Sequence, residues 1–380
     1  MQKREVLSGR KTNQITINIM QQPTVNIIGA GPAGLNAAIS LAKLEIKVNL
    51  FEKQDKPGGH LSHWHSLFPN MYDAKTLLKS TINNIKHPNI KLYTSKNIKQ
   101  IKRQNNQWTI SSDQNQEYTS DAVIITSGFN LFDATKKEEY GYGIYPQVIT
   151  SLELEQMFNK RSKWPFSEEI EAPKAGFVHC VGSRDTKCGN NWCSKVCCVK
   201  AVKQAIEFKK LFPKAEVNCF YMDLRMFGKG YEELYMKAQV DYNIQFVRGR
   251  LSEASPANGN KVNIKAEDTL MNRPLKQNLD MLVLMVGMTP AILLNKQSEH
   301  IDFVKPKFQQ GFITPVDNYQ SIISQDTPGV FAAGTCKGPA SLIDVIQDAK
   351  ATAFEVLEYL KKEKEKKAEI LEKFNMICAH

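Results

Sequence analysis

One stretch near the amino terminus leaves this chain few choices of fold. It reads Val25-Asn-Ile-Ile-Gly29-Ala-Gly31-Pro32-Ala33-Gly34-Leu-Asn-Ala-Ala-Ile-Ser-Leu-Ala42 and continues to Lys47-Val-Asn-Leu-Phe-Glu52. An apolar run, a Gly-x-Gly-x-x-Gly turn, an alanine-rich helix, a second apolar run and an acid follow one another at the spacing of a parallel-sheet unit. Gly29 permits the tight turn, Gly31 lets the backbone approach a pyrophosphate, and Gly34 lets helix and strand pack closely. Pro32 and Ala33 complete the turn, and Glu52 falls where an acid binds a ribose hydroxyl. A glycine pattern alone is weak evidence. With strand, helix, second strand and acid all present, it predicts a Rossmann-like α/β domain that binds a dinucleotide.

The residues after Glu52 select the dinucleotide. Lys53-Gln-Asp-Lys-Pro-Gly58-Gly59-His60 resembles the glycine pair that follows the ribose acid in two-dinucleotide flavoproteins, and Asp121-Ala-Val-Ile-Ile-Thr-Ser127-Gly128 resembles their strand returning beside the flavin. Thr327-Pro-Gly-Val-Phe-Ala-Ala-Gly334-Thr335 resembles their second FAD motif, with Thr335 where an Asp usually closes over the cofactor. The expected FAD-binding residues are therefore Gly29, Gly31, Pro32, Ala33, Gly34, Glu52, Lys53, Gly59, His60, Ile98, Ser127, Gly128, Gly334 and Thr335. The order of these pieces predicts a flexible tail over 1–22, FAD-binding segments at 23–150 and 289–360, and a second nucleotide-type domain inserted at 151–288. Leu279-Asp-Met-Leu-Val-Leu-Met-Val-Gly287-Met-Thr-Pro290 reads as the strand and hinge ending the insert.

The insert has cysteines in place of a glycine turn. Gly176-Phe-Val-His-Cys180-Val-Gly-Ser-Arg-Asp185 is strand-like, and Cys188-Gly-Asn-Asn-Trp-Cys193-Ser-Lys-Val-Cys197-Cys198 is loop-like. Val199, Val202, Ile206 and Phe208 then recur roughly as on a helix, and Ala215 to Met222 reads as a strand. Without the turn, NAD(P)H binding here is not expected. Thiolates suit iron–sulfur clusters and zinc, and the positive end of the following helix is expected to lower thiol pKa. Zinc sites usually use separated Cys-x2-Cys pairs, whereas adjacent Cys197 and Cys198 with two more distant cysteines suit wrapping around a larger cluster. Three readings stand open on the residues alone: an iron–sulfur cluster at Cys180, Cys193, Cys197 and Cys198, a structural zinc, and cysteines that are free or disulfide-bonded. Cys188 is a nearby fifth candidate, and Cys219 reads as core.

Several further strings resemble the A-type subunits of heterodisulfide reductase and their short relatives, including the A-type member of the quinone-interacting membrane-bound oxidoreductase. They are Lys137-Glu-Glu-Tyr-Gly-Tyr-Gly143, Val148-Ile-Thr-Ser-Leu-Glu153, Cys180-Val-Gly-Ser-Arg-Asp185, Cys193-Ser-Lys-Val-Cys-Cys198, Asp223-Leu-Arg-Met-Phe-Gly-Lys-Gly230 and Gly338-Pro339, within a resemblance running from about residue 23 to 360. It implies two Rossmann-like domains in a thioredoxin-reductase-like flavoprotein, FAD, and a 4Fe–4S cluster held by Cys180, Cys193, Cys197 and Cys198. It would also place Lys203 near the reactive face of the flavin, although spacing alone fits a solvated lysine equally well. The large archaeal members carry further cysteine-rich segments, but no Cys-x2-Cys-x2-Cys run occurs here, and Asn70-Met-Tyr-Asp73 stands where several relatives have cysteines. At most one cluster site is expected, with electrons leaving through other redox subunits or ferredoxin-like carriers.

Composition agrees with a soluble, cytoplasmic two-domain protein: 380 residues, 42% hydrophobic and 23% charged. Clustered cysteines are easier to explain as ligands in a reducing compartment. There is no uninterrupted apolar run long enough to span a bilayer, so membrane attachment would come only through partners. The net charge of +11 is partly due to Lys361-Lys-Glu-Lys-Glu-Lys-Lys367, a mixed run that suits an exposed helix and not a nucleic-acid arm. A basic face attracting an acidic redox partner is the better reading. Ala351 to Phe374 reads as one long helix, with a charged helix and tail expected over 361–380. His60, His63 and His65 could hold a metal by spacing, but His60 touching the cofactor fits their place in the chain better. Competing functions are a stand-alone flavin disulfide reductase using the cysteines as a dithiol, and a non-catalytic FAD and zinc scaffold.

Overall fold

The computed structural model describes residues 22–104, 107–160, 163–291, 307–326 and 328–378. The expected tail up to residue 21 lies outside the described residues, as do Thr327 of the second FAD motif and residues 379–380. The elements that position the site run β1 (Thr24–Ile28), α1 (Pro32–Lys43), β2 (Lys47–Phe51), α2 (Ala74–Asn84), β3 (Ile90–Tyr93), β4 (Ala122–Ile125), β5 (Val148–Thr150) and α3 (Ser151–Lys160). They continue with β6 (Lys174–Val181), α4 (Cys197–Leu211), β7 (Glu216–Tyr221), α5 (Tyr231–Val240), β8 (Gln245–Arg248), β9 (Met281–Val286), β10 (Val330–Ala332) and α6 (Leu342–Cys378).

Two all-parallel, five-stranded sheets result. The first has the order β10-β4-β1-β2-β3 and the second β5-β9-β6-β7-β8. Strands buried on both faces need apolar residues throughout, and Val25, Ile27, Leu50, Val123, Ile124, Phe177, Val283 and Leu284 are all essentially inaccessible to solvent. In the first sheet the order reverses at β1, between β2 and β4, and the ends of the strands there form the usual crevice for a dinucleotide. This sheet is completed from the distant carboxyl-terminal segment, because β10 pairs with β4.

The chain crosses between the sheets twice. Phe129–Leu131 on the outward path pairs antiparallel with Met288–Pro290 on the return path, joining the crossings into one ribbon. Two antiparallel three-stranded sheets, one built from residues 98–120 and one from residues 251–279, flank the parallel ones.

The long carboxyl-terminal helix starts earlier than expected, at Leu342. Its start is a reciprocal cap: Asp344 N–H donates to Ser341 Oγ, and Ser341 N–H donates to the Asp344 carboxylate, both at 3.2 Å. Val345, Ala349, Ala353, Val356 and Leu360 recur at helical spacing and are buried against the first domain. The stripe is buried as far as Leu360, and Ile370 further on is exposed. The lysine-rich run lies largely in solvent, with a Lys366–Glu363 ion pair at 2.9 Å.

Candidate functional site

A cleft of about 1350 Å³ opens at the ends of the first sheet's strands. Drug-sized ligands typically occupy ~300–1,000 Å³, so this cleft has room for a dinucleotide. Gly29, Gly31, Pro32, Glu52, Lys53, Gly59, His60, Ile98, Ser127, Gly128 and Thr335 all line it. Ala33, Gly34 and Gly334 stand behind the wall. A Cβ on Gly34 would lie 1.9 Å from the Gly29 carbonyl oxygen, and one on Gly334 would lie 2.8 Å from Ala33 Cβ, so both glycines allow close backbone packing under the turn.

The glycine turn has the form a phosphate needs. Gly29 has φ +108°, and a Cβ there would lie 2.4 Å from the Thr126 carbonyl oxygen. A Cβ on Gly31 would meet no protein atom within 4 Å, so the missing side chain leaves open space at this cleft-lining position. Gly31 caps α1 with no side-chain hydrogen bond, and the first turn carries no acid. Its amide groups therefore remain available to an anion. Glu52 accepts hydrogen bonds from Ala30 N–H at 2.9 Å and Gln54 N–H at 3.0 Å, which fixes the carboxylate at the cleft while leaving it further acceptor capacity. The Ser127 hydroxyl is buried without a partner. A buried hydroxyl without a protein partner and a glycine turn with open space in front of it fit the expected FAD.

His60 Nε2 donates to the Phe129 carbonyl at 2.9 Å, and its ring stacks on Phe129 at 4.2 Å. Burial lowers its pKa, which leaves a neutral ring with Nδ1 as acceptor. The three neighbouring histidines diverge: His63 also lines the cleft, whereas His65 turns away to pair with Glu207 at 2.7 Å.

The cysteine segment forms a strained turn. Cys180 near the end of β6 has φ +59°, a left-handed conformation that favours glycine, and Arg184 and Lys195 are also left-handed at +54° and +59°. Cys197 and Cys198 open α4. Hydrogen bonds fix the turn: Asn190 Nδ2 to Gly182 O, Arg184 N–H to Trp192 O, and a buried contact between the Ser183 and Ser194 hydroxyls at 2.7 Å. The turn is also tied to the crossing ribbon, because Met288 N–H donates to Ser194 Oγ at 2.8 Å and Trp192 Nε1 donates to Met288 O at 3.0 Å. Met288 itself lines the cleft. A buried Lys137–Asp185 pair at 2.8 Å anchors the far side.

The expected lowering of the thiol pKa values is not what this environment produces. Burial pushes Cys180 up to about 12, and Cys197 and Cys198 are likewise raised, with the neighbouring thiols adding mutual repulsion. Desolvation outweighs the helix end. Arg184 and Arg225 act in the opposite sense on Cys180 and Cys198. Among the described residues, no group of three or more His, Cys, Asp and Glu side chains is gathered as a site for a metal ion. The donor set, four thiols that sense one another's charge, suits a sulfur-bridged cluster that spreads its ligands more widely than a single ion does. His179, beside Cys180, is buried with neither ring nitrogen hydrogen-bonded, and burial lowers its pKa to about 4.

Lys203 does not line the cleft, and it is not solvated. Its side chain is 1% exposed, with Nζ 2.5 Å from Glu155 and 2.9 Å from Glu207. Gln204 Nε2 also donates to Glu155, while His65 and Ser66 donate to Glu207. His65 N–H completes the group with a 2.8 Å bond to Glu155. The histidine loop, α3 and α4 are thus fastened by one buried charged network. Sequence reading singled out Lys203 without its carboxylates, which lie 48 positions before it and four positions after it.

Residues 23–157 match the family described as pyridine nucleotide-disulphide oxidoreductase. Two solved thioredoxin reductases share the fold. That of Lactococcus lactis, in its FR conformation, has a TM-score of 0.62 at 18% identity, covering 90% of this chain and 100% of that one. That of T. acidophilum has a TM-score of 0.60 at 19% identity, covering 88% and 98%. The chain is thus an α/β protein with two Rossmann-like domains in the arrangement of these structures. Among curated relatives, the A-type iron-sulfur subunit (form 2) of the CoB–CoM heterodisulfide reductase of Methanopyrus kandleri is 27% identical over 89% of this chain and 64% of its own length. The A-type subunit of the H(2):CoB-CoM heterodisulfide,ferredoxin reductase of Methanothermobacter thermautotrophicus is 37% identical over 61% of this chain and 36% of its own. Over most of its length the chain is thus similar to heterodisulfide reductase A-type subunits, and it spans less than two thirds of the length of these curated relatives.

Proposed function

We propose that this chain is an FAD-dependent, iron–sulfur electron-transfer subunit of a heterodisulfide-reductase-like complex. FAD would occupy the cleft of the first sheet, and a 4Fe–4S cluster would be held by Cys180, Cys193, Cys197 and Cys198. The observation that carries this reading is the left-handed Cys180 at the end of β6. The second domain keeps a glycine-like backbone where a nicotinamide dinucleotide would be received, yet carries a thiol there.

FAD supplies exchange between two-electron and one-electron steps, and the cluster supplies one-electron transfer. Gly31 and the first-turn amides of α1 would bind the pyrophosphate, and Glu52 a ribose hydroxyl. The Ser127 hydroxyl and Thr335 would meet the cofactor on the opposite wall. His60, held as the Nε2–H tautomer by Phe129, can take a proton at Nδ1 and return it. Arg184 and Arg225 would favour the thiolates that a cluster requires. Lys203 acts as a positioning residue, joining α4 to the histidine loop. Electrons would pass to and from other redox subunits, or ferredoxin-like carriers, in the cytoplasm. Among the described residues no helix is long and apolar enough to cross a membrane, so any membrane contact would come through partners.

Anaerobic purification followed by flavin, iron and acid-labile sulfide analysis tests the reading. Cys197→Ser or Cys198→Ser should remove the iron–sulfur absorption and EPR signal while FAD remains, whereas Cys219→Ser should not. Stoichiometric zinc, with no reconstitution by iron and sulfide, would overturn it.

A further inference from the structure

The loop between β7 and α5, residues 222–230, closes over the cysteine centre. Cys198 Sγ donates to the Asp223 carbonyl at 3.7 Å, and Arg225, two residues on, bears electrostatically on both Cys180 and Cys198. The loop is pinned from within. Met226 and Tyr231 are buried in the core of the second domain, Phe68 meets Tyr231 edge-on at 5.6 Å, and Gly230 packs against Pro69. Between these anchors Phe227 faces outward and is 77% exposed.

The loop that carries Phe227 bears and meets several cations. Arg225 and Lys229 are exposed on the loop, Arg248 is exposed at the end of β8, and Arg184 and Lys195 belong to the cysteine turn. Asp223 is the acid among them, and it is shared by Arg184 at 2.7 Å and Arg248 at 4.0 Å. Glu232 and Glu233 follow in the first turn of α5, where the positive helix end offsets their charge. A single exposed aromatic residue is ordinary on a protein surface. Here, however, it is held outward by a firmly packed loop that exposes Arg225 and Lys229, meets Arg184 and Arg248 at Asp223, and touches Cys198 through the Asp223 carbonyl. An aromatic anchor beside arginines is the composition that dominates interface energetics, and a one-signed charge field speeds encounter with a partner of opposite sign.

We propose that residues 222–230, with Arg248, form the landing surface for an acidic one-electron carrier protein that exchanges electrons with the cysteine centre. Phe227 is the apolar anchor, and Lys229 and Arg248 steer the acidic face of the carrier. This rests on the iron–sulfur reading above and names where the carrier docks. The step would be a single-electron transfer in which the reduced carrier gives up one electron, a cluster held by Cys180, Cys193, Cys197 and Cys198 would accept it, and no bond forms or breaks.

The test uses the full-length, anaerobically purified protein and a Phe227→Ala/Lys229→Glu/Arg248→Glu variant, which leaves all cysteines and Arg225 in place. A reduced, acidic two-cluster bacterial ferredoxin serves as the probe, and stopped-flow absorbance follows reduction over a series of ionic strengths. The variant should lose about tenfold or more of the second-order rate constant at low salt, with a flattened salt dependence. Its iron and flavin content, and its reduction by a small uncharged dye, should match the wild type. An unchanged ferredoxin rate and salt dependence would overturn the docking surface and leave the cluster reading intact. Wild-type protein that reconstitutes no cluster would overturn both. If the wild type binds vesicles of equimolar phosphatidylserine and phosphatidylcholine, and the variant changes only that, the surface belongs to a membrane and the carrier assignment is wrong.

Discussion

Replacing Lys203 with Met should destabilise the protein sharply, and the loss should depend on pH. Lys203, Glu155 and Glu207 are 1%, 1% and 7% exposed. Removing the ammonium leaves two carboxylates facing each other in a dry interior. Breaking a buried ion pair from one side costs roughly 3–5 kcal/mol, because the remaining charge is uncompensated. At roughly 2–4 °C per kcal/mol for domains of this size, the melting temperature should fall by roughly 6–20 °C. Burial opposes ionisation of Glu207, but His65, Lys203 and Ser66 outweigh it and hold the carboxyl below its ordinary range. A carboxylate with a depressed folded pKa contributes stability that is fully present above its unfolded pKa of about 4.3 and is lost as pH falls through the folded value. In the Met variant the part of that depression due to Lys203 is lost, while His65 and Ser66 still act on the carboxyl, and Glu207 protonates more readily. The deficit relative to wild type should therefore be largest near neutrality and shrink as the solution is acidified. Thermal unfolding followed by circular dichroism across this pH range measures it. A deficit below about 1 kcal/mol at neutral pH, or one that does not change on acidification, would refute the network argument.

Two further outcomes are expected. Gly31→Val should abolish flavin retention through gel filtration while changing the melting temperature of the apoprotein little, since the added Cβ has no protein atom within 4 Å and stands in the phosphate cradle; co-eluting flavin at the wild-type ratio would count against the cleft assignment. Neither NADH nor NADPH alone should bleach the flavin rapidly in an anaerobic stopped-flow experiment, because the second domain carries Cys180 where a dinucleotide turn needs glycine; fast bleaching would favour a stand-alone reductase.

The cleft was legible in the sequence because its signals are local. Gly29, Gly31 and Gly34 announce a turn whose geometry follows from spacing alone, and Glu52 comes at the end of the next strand. The cysteines were legible through their chemistry, but their environment was not. A helix start can be read from Val199 onward, whereas the burial that raises the thiols depends on β6, β7 and the 222–230 loop closing around them. The partners of Lys203 and Lys137 were hidden for a related reason. Glu155 and Asp185 come into contact with those lysines only after the sheets form, and nothing in local periodicity links positions 48 apart. The early start of the last helix did carry a readable signal, the Ser341-x-x-Asp344 cap, but the preceding Gly338-Pro339 suggests a loop. The antiparallel sheet of residues 251–279 depends on cross-strand pairing of mostly polar segments, which leaves a faint apolar pattern.

Met288 has a double attachment. Its side is part of the wall of the cofactor cleft, and its backbone N–H and carbonyl are both taken by the cysteine turn, through Ser194 and Trp192. The gap between the cleft and the cysteine turn is thus bridged by one residue and two hydrogen bonds. A hinge that swung one sheet away from the other would have to break those bonds or drag the turn along with it. In that respect the crossing ribbon resembles a spacer more than a loose tether, because moving one half of the site away from the other would cost those two hydrogen bonds.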